Sequence, residues 1–169
     1  MKKQLFTLVL VLGSLMISFG QQAVKVGPLG FLLGNYNLRY EKGITEKGSI
    51  QVGGNFYNYK LFGLKTTGFG FDAGYRHYFK EAIKGAYVSP SIGFDSNSTT
   101  VSSVDDTEGR FNLFGGGATI GYQWVTNGNF VVDLGLGYGY NALISKSEDL
   151  TNSYGGGGVR FTFALGYAF

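Results

Sequence analysis

Cysteine is absent from the chain, so no disulfide framework holds its fold. Histidine occurs once, at His77, and with no cysteine beside it there is little from which to build a transition-metal site. Proline occurs twice and charged residues make up only 15% of the sequence. Beyond the first 20 residues no apolar run reaches the roughly 20 residues that a membrane-spanning helix needs. An excess of one charge is missing too: of 14 basic residues two are Lys2 and Lys3, and without them 12 basic residues face 11 acidic ones. That balance gives no reason to expect nucleic acid as a partner.

Glycine and aromatics fill the space these absences leave, with 29 Gly, 15 Phe and 12 Tyr in 169 residues. The start, "MKKQLFTLVLVLGSLMISFGQQ", has a basic tip, an apolar run from Leu5 to Phe19 and small residues at Ser18 and Gly20. This is the layout of a secretory signal peptide cleaved near Gly20–Gln21, and its lack of cysteine means it is not a lipoprotein's. The expected division is therefore a cleaved segment at 1–20 and one domain at 21–169.

The end supplies the register for the rest. In "RFTFALGYAF" the large side chains Phe161, Phe163, Leu165, Tyr167 and Phe169 alternate with Arg160, Thr162, Ala164, Gly166 and Ala168. A period of two is a strand with two different faces. The same alternation runs through Phe130–Asn141, Phe114–Trp124, Ala86–Asp95, Gly68–His77 and Ser49–Tyr57. In each segment most bulky apolar residues share one face, and small, polar or charged residues dominate the other, with Val131, Tyr87 and Tyr57 as exceptions. The glycines and the period exclude helix there.

The first segment, "VKVGPLGFLLGNYNLRYEKG", is too long for one tilted strand and has a turn signal at Gly34–Asn35. A three-residue loop at Leu33–Asn35, pairing Leu32 with Tyr36, keeps the parity on both sides. The total becomes eight strands, with both termini on one side. The fold class is all-β, a closed eight-stranded antiparallel up-and-down transmembrane β-barrel. Compact connections ("KGITEKG", "KEAIKG", "TNG") alternate with longer polar ones ("KLFGLKT", "SNSTTVSSVDDTEGR", "ISKSEDLTNSYGG"), as in barrels with short periplasmic turns and longer outer loops.

Placement of charge is the strongest argument for lipid over water. No charged residue falls in the middle of an apolar face, where a basic one at the bilayer midplane costs about 2–4 kcal/mol. Eight take the opposite, inward parity: Lys25, Arg39, Glu41, Asp72, Arg76, Asp95, Asp133 and Arg160. The topology puts Lys25, Arg39, Glu41, Arg76 and Asp133 in the half near the termini, and Asp95 and Arg160 toward the loops. Four basic and four acidic residues in a lumen wide enough only for side chains suggest a closed ion-pair network, not a pore biased to one sign.

Other chemistry is thin. His77 has outward parity near a strand end and no nameable serine or acidic partner, so it reads as a member of an aromatic belt. The clusters "GGGATIG", "GLGYGY" and "GGGG" lack the strand-to-helix setting of a phosphate loop. Asp105, Asp106 and Glu108 lie together in a loop without the spacing of an EF-hand. Tyr40, Tyr75, Tyr122, Trp124, Phe130, Tyr167 and Phe169 gather at the terminus side as an aromatic girdle would. No catalytic residue, metal site or cofactor is expected.

The signal peptide, eight strands and terminal "FALGYAF" resemble the small outer-membrane barrels of the OmpA, OmpX and OmpW kind. The stretch "GPLGFLLGNYNLRYEKGITEKGSIQVGGNFYNY", with Glu41, Ser49 and Gly53, is similar to an uncharacterised barrel family common in Bacteroidota. The resemblance implies that Phe161, Phe163, Leu165, Tyr167 and Phe169 form the signal read by the outer-membrane assembly machinery. It also implies an outer-membrane location in a diderm bacterium, in contact with lipid and lipopolysaccharide.

The expected role is envelope-stabilising or surface-interactive, as a monomer or within a larger membrane complex; the alternatives are a narrow solute channel and a lipid-modifying enzyme. A chain lacking Phe169 is expected to insert poorly while keeping the rest of its sequence. Normal heat-modifiable migration of that truncated chain on unboiled gels would contradict this reading of the terminus.

Overall fold

The computed structural model describes residues 21–61, 64–101, 107–147 and 155–169; the expected signal peptide and Asp105–Asp106 lie outside them. Eight strands run in chain order: β1 (Gln22–Val26), β2 (Asn35–Gly43), β3 (Gly48–Leu61), β4 (Leu64–Tyr78), β5 (Gly85–Val101), β6 (Thr107–Val125), β7 (Phe130–Lys146) and β8 (Gly156–Ala168). Each is antiparallel to the next, and β8 returns to β1 to close the barrel. Closure removes the exposed edges that an open sheet would carry into lipid.

The two-face pattern of the sequence becomes the two surfaces of the wall. One outward row joins Phe161, Leu136, Ile120 and Val88 across neighbouring strands. In the isolated chain Leu136 is 56% exposed, Phe161 66% and Ile120 67%. Large apolar side chains outside and Lys, Glu, Arg and Asp inside invert the arrangement of a water-soluble barrel, and give a surface suited to hydrocarbon. The adjacent inward row joins Tyr87 to Gly121 and Gly121 to Gly135. A methyl group on Gly121 would meet the Tyr87 hydroxyl at 2.5 Å, so the glycine is the space that the tyrosine occupies.

The first connection departs from expectation. In place of a three-residue turn pairing Leu32 with Tyr36, β1 ends at Val26 and a single helical turn, α1 (Pro28–Leu32), leads to β2. Proline at the first helical position has its φ preset for helix and no N–H to offer a strand ladder. The Asn37 side chain accepts from the Gly27 N–H at 2.8 Å, and Gly34 closes the turn at φ +79°. Periodicity favoured strand here because "PLGFLL" is uniformly apolar and carries no face signal.

Two outer connections are also shorter than expected. Leu61 pairs directly with Leu64, and β5 runs to Val101 while β6 resumes at Thr107, so much of "SNSTTV" and "TEGR" is ladder. Threonines suit a strand, and Thr66 and Thr99 share a hydrogen bond of 3.1 Å between β4 and β5.

The wall is asymmetric at its seam. β1 pairs with β8 only from Ala23–Ala168 to Val26–Leu165, whereas β8 continues along β7 to Gly156. Beyond Val26 the seam on that side of β8 is flanked by α1 rather than by a strand.

The wall predicts a sharp asymmetry between faces. Leu136→Arg, on the outward row, is expected to destabilise the barrel by about 2–4 kcal/mol in phospholipid vesicles, measured by urea unfolding. A loss below about 0.5 kcal/mol would show that this face does not meet hydrocarbon.

Candidate functional site

The lumen is built in three layers. At the terminus end, the β4–β5 connection folds into the mouth, where Ala82 and Ile83 pack with Ala23, Val131 and Ala168. Ile83 holds φ +67°, a conformation that costs a β-branched residue about 1–3 kcal/mol. It is held there by burial and by its carbonyl, which accepts from Gln123 Nε2 at 2.6 Å.

Directly above lies an ionic layer whose charged side chains are almost wholly buried. Lys25 sits at its centre with all three ammonium hydrogens used: Glu41 Oε2 accepts at 2.5 Å, Gln123 Oε1 at 2.7 Å and Asp133 Oδ2 at 2.9 Å. Arg76 NH1 donates to the same Asp133 oxygen at 2.7 Å and lies 3.6 Å from Glu41. The second oxygen of each acid is also engaged. Glu41 Oε1 accepts from Ser49 Oγ at 2.5 Å and Tyr78 Oη at 2.6 Å, and Asp133 Oδ1 accepts from Tyr87 Oη at 2.7 Å. The Arg76 guanidinium lies 4.2 Å from the centre of the Tyr87 ring.

Every strand except β8 contributes a side chain to this layer, and the side chains of Lys25, Glu41, Arg76 and Asp133 are 0–3% exposed. Bare charges in such a place are prohibitive; here two cations meet two anions and nearly every polar hydrogen has an acceptor.

The third layer, on the loop side, is a polar cup of about 340 Å³ whose lining includes Arg39, Asp72, Asp95, Asn141 and Arg160. Arg39 and Asp72 form an ion pair beside Asn55, and at 25% and 21% exposure this pair is open to water where the lower layer is not.

The eight inward charges are thus divided. Lys25, Glu41, Arg76 and Asp133 come together, and Arg39, expected among them, joins Asp72 in the cup instead. The tilt of the strands explains this: Arg39 stands opposite Gly53 on β3, and Gly53 stands opposite Asp72 on β4. Asp95 and Arg160, expected in the ion-pair network, stand apart from it among the described residues. Among the described residues neither has a salt-bridge partner: Asp95 accepts from Tyr57 Oη at 2.7 Å, and Arg160 donates to Asn141 at 3.2 Å and Ser91 at 3.4 Å.

Several members of the lower layer were not anticipated. Ser49, Tyr78, Tyr87 and Gln123 all have inward parity, which was visible, but a search for charge passes over neutral groups. The inward fold of Ile83 had no sequence signal. His77 is exposed on the outer wall as its parity implied, edge-on to Phe79 with ring centres 5.9 Å apart. Of the terminal aromatics, Tyr167 and Phe169 are exposed at the terminus rim with Trp124 and Phe130.

The layer predicts a specific energetic penalty. Lys25→Met leaves two buried carboxylates sharing one guanidinium and is expected to cost about 3–5 kcal/mol in urea unfolding. Adding Glu41→Gln to that variant is expected to recover part of the loss, a coupling that independent sites would not show.

Comparison with solved structures shows the same fold in two proteins. One is Ail, the attachment invasion locus protein of Yersinia pestis, with 12% identity, a TM-score of 0.51, and coverage of 89% of this chain and 99% of that one. The other is Neisserial surface protein A (NspA), with 14% identity, a TM-score of 0.50, and coverage of 88% and 94% respectively. No curated protein matches the sequence. The family profile for proteins of unknown function DUF3575 matches residues 5–154, nearly the whole chain, and the protein belongs to that family.

Proposed function

We propose that the protein is a monomeric outer-membrane barrel, closed to solutes, that stiffens the envelope and presents its loop end to a partner at the cell surface. The observation that carries this reading is the dry ionic layer lying across the lumen within an apolar wall. A conducting barrel needs a continuous wet path, and here Lys25, Glu41, Arg76 and Asp133 occupy the cross-section with their hydrogen bonds directed at one another. The fold shared with an attachment invasion locus protein and a surface protein supports a role in surface interaction.

In this reading export depends on residues 1–20 as a signal peptide. Phe161, Phe163, Leu165, Tyr167 and Phe169 form the closing strand that the assembly machinery engages, and lipid and lipopolysaccharide surround the wall. No catalytic role is assigned: His77 faces away from the lumen, and its ring contact is with Phe79.

Purified protein in planar bilayers is expected to give no stable open events. Lys25→Met combined with Arg76→Met, which removes the cations of the layer, is expected to give flickering conductance if it folds. Stable, ion-selective openings of the unaltered protein would overturn the closed-barrel reading.

A further inference from the structure

The charge inventory of the cup points to a ligand, and this inference goes beyond the proposed surface role. Six of the eight inward charges neutralise one another in contact. The two that remain, Asp95 on β5 and Arg160 on β8, are opposite in sign and line the same cavity. We infer that the cup is a binding site for a small zwitterion, its oxyanion held by Arg160 and its ammonium group held by Asp95.

Four observations support this. Arg160 donates to Ser91 Oγ and Asn141 Oδ1, and by taking those oxygens it leaves the serine O–H and the asparagine NH₂ as donors. Guanidinium, hydroxyl and amide therefore offer hydrogens in one region, the arrangement that a carboxylate or phosphate accepts.

The floor also carries unspent hydrogen bonds. Arg76, 3% exposed, has an Nε–H with no acceptor, and Gln51, 7% exposed, has an Oε1 with no donor. Both line the cavity. Buried polar groups of this kind are normally satisfied, so the floor of the cup has hydrogen-bonding capacity that a small side-chain shift toward a ligand would use.

Charge complementarity selects the class. The two charges without a salt bridge are opposite in sign, so a zwitterion matches both, whereas a simple anion or cation leaves one of them unmatched.

Finally, the place of Arg160 depends on a neighbour without a side chain. A Cβ on Gly139 would fall on the Arg160 guanidinium, so the glycine keeps the space in which the group lies. Two sources share this chemistry. A free solute enters from the loop end, and the headgroup of a zwitterionic lipid reaches the cup beside β8, where β1 stops at Val26.

The test uses the full mature chain in phosphatidylglycerol nanodiscs, reading the arginine Nε–Hε signals by NMR. The probes are glycerophosphoethanolamine, a neutral zwitterion, and glycerophosphoglycerol, which has the same phosphodiester without the ammonium. The zwitterion is expected to shift the Arg160 signal saturably, with the anion roughly tenfold weaker. Asp95→Asn is expected to erase that preference, and Arg160→Gln to abolish binding of both probes, read from the Arg76 signal.

Gly139→Ala, which displaces Arg160 without removing its charge, is expected to weaken both probes while heat-modifiable migration is retained. If nanodiscs containing phosphatidylethanolamine shift the Arg160 signal with no added solute, the ligand is the lipid headgroup; if only the soluble probe does so, it is a free zwitterion. No saturable shift in either arm, or equal affinity for the two probes, would overturn the proposal.

Discussion

Lys25 is an ammonium ion with no access to water, and the rest of the lumen is arranged around that fact. Its three hydrogens fix Glu41, Gln123 and Asp133, from β2, β6 and β7. Asp133 in turn fixes Arg76 and Tyr87, and Glu41 fixes Ser49 and Tyr78. An ion pair of this kind adds little net stability over an apolar core, because desolvation offsets most of the attraction. What it does contribute is specificity. A one-residue slip of any contributing strand turns its polar member to the outer wall and leaves a buried charge without a partner.

This explains the composition as well as the fold. A barrel in lipid cannot build a core from large apolar side chains, which are needed outside, so its interior is made of polar groups that satisfy one another. The lumen has room for Tyr87 beside the charged layer because glycine occupies the facing positions Gly121 and Gly135, where a Cβ would meet its hydroxyl. Aromatic weight outside and glycine inside are two aspects of one packing problem. Below the ionic layer the Ile83 turn closes the mouth; above it the cup is open to water and holds Asp95 and Arg160, which form no salt bridge among the described residues.

Much of this was legible from alternation alone. The count of eight strands rested on a turn signal at Gly34–Asn35, but the period of two, carried back from Phe169, placed six of them and gave eight charges inward parity. It could not assign their partners, because contact across a barrel depends on tilt and stagger: Arg39 was expected beside Lys25 and lies with Asp72. Nor could it find α1, where "PLGFLL" has no polar face to set a period, or the inward turn at Ile83, whose position depends on tertiary packing. The neutral members of the layer were within reach of the same parity. A search for charged residues does not ask which serine, glutamine or tyrosine completes their hydrogen bonds.

Everything in the lumen turns on Lys25 being dry and bonded within the layer. Proton-detected solid-state NMR of the protein in lipid bilayers tests it directly. A buried, bonded Lys25 gives a resolved ammonium signal that correlates with the carboxyl carbons of Glu41 and Asp133 and exchanges slowly with water. A Lys25 ammonium in fast exchange with water, without those correlations, would contradict it.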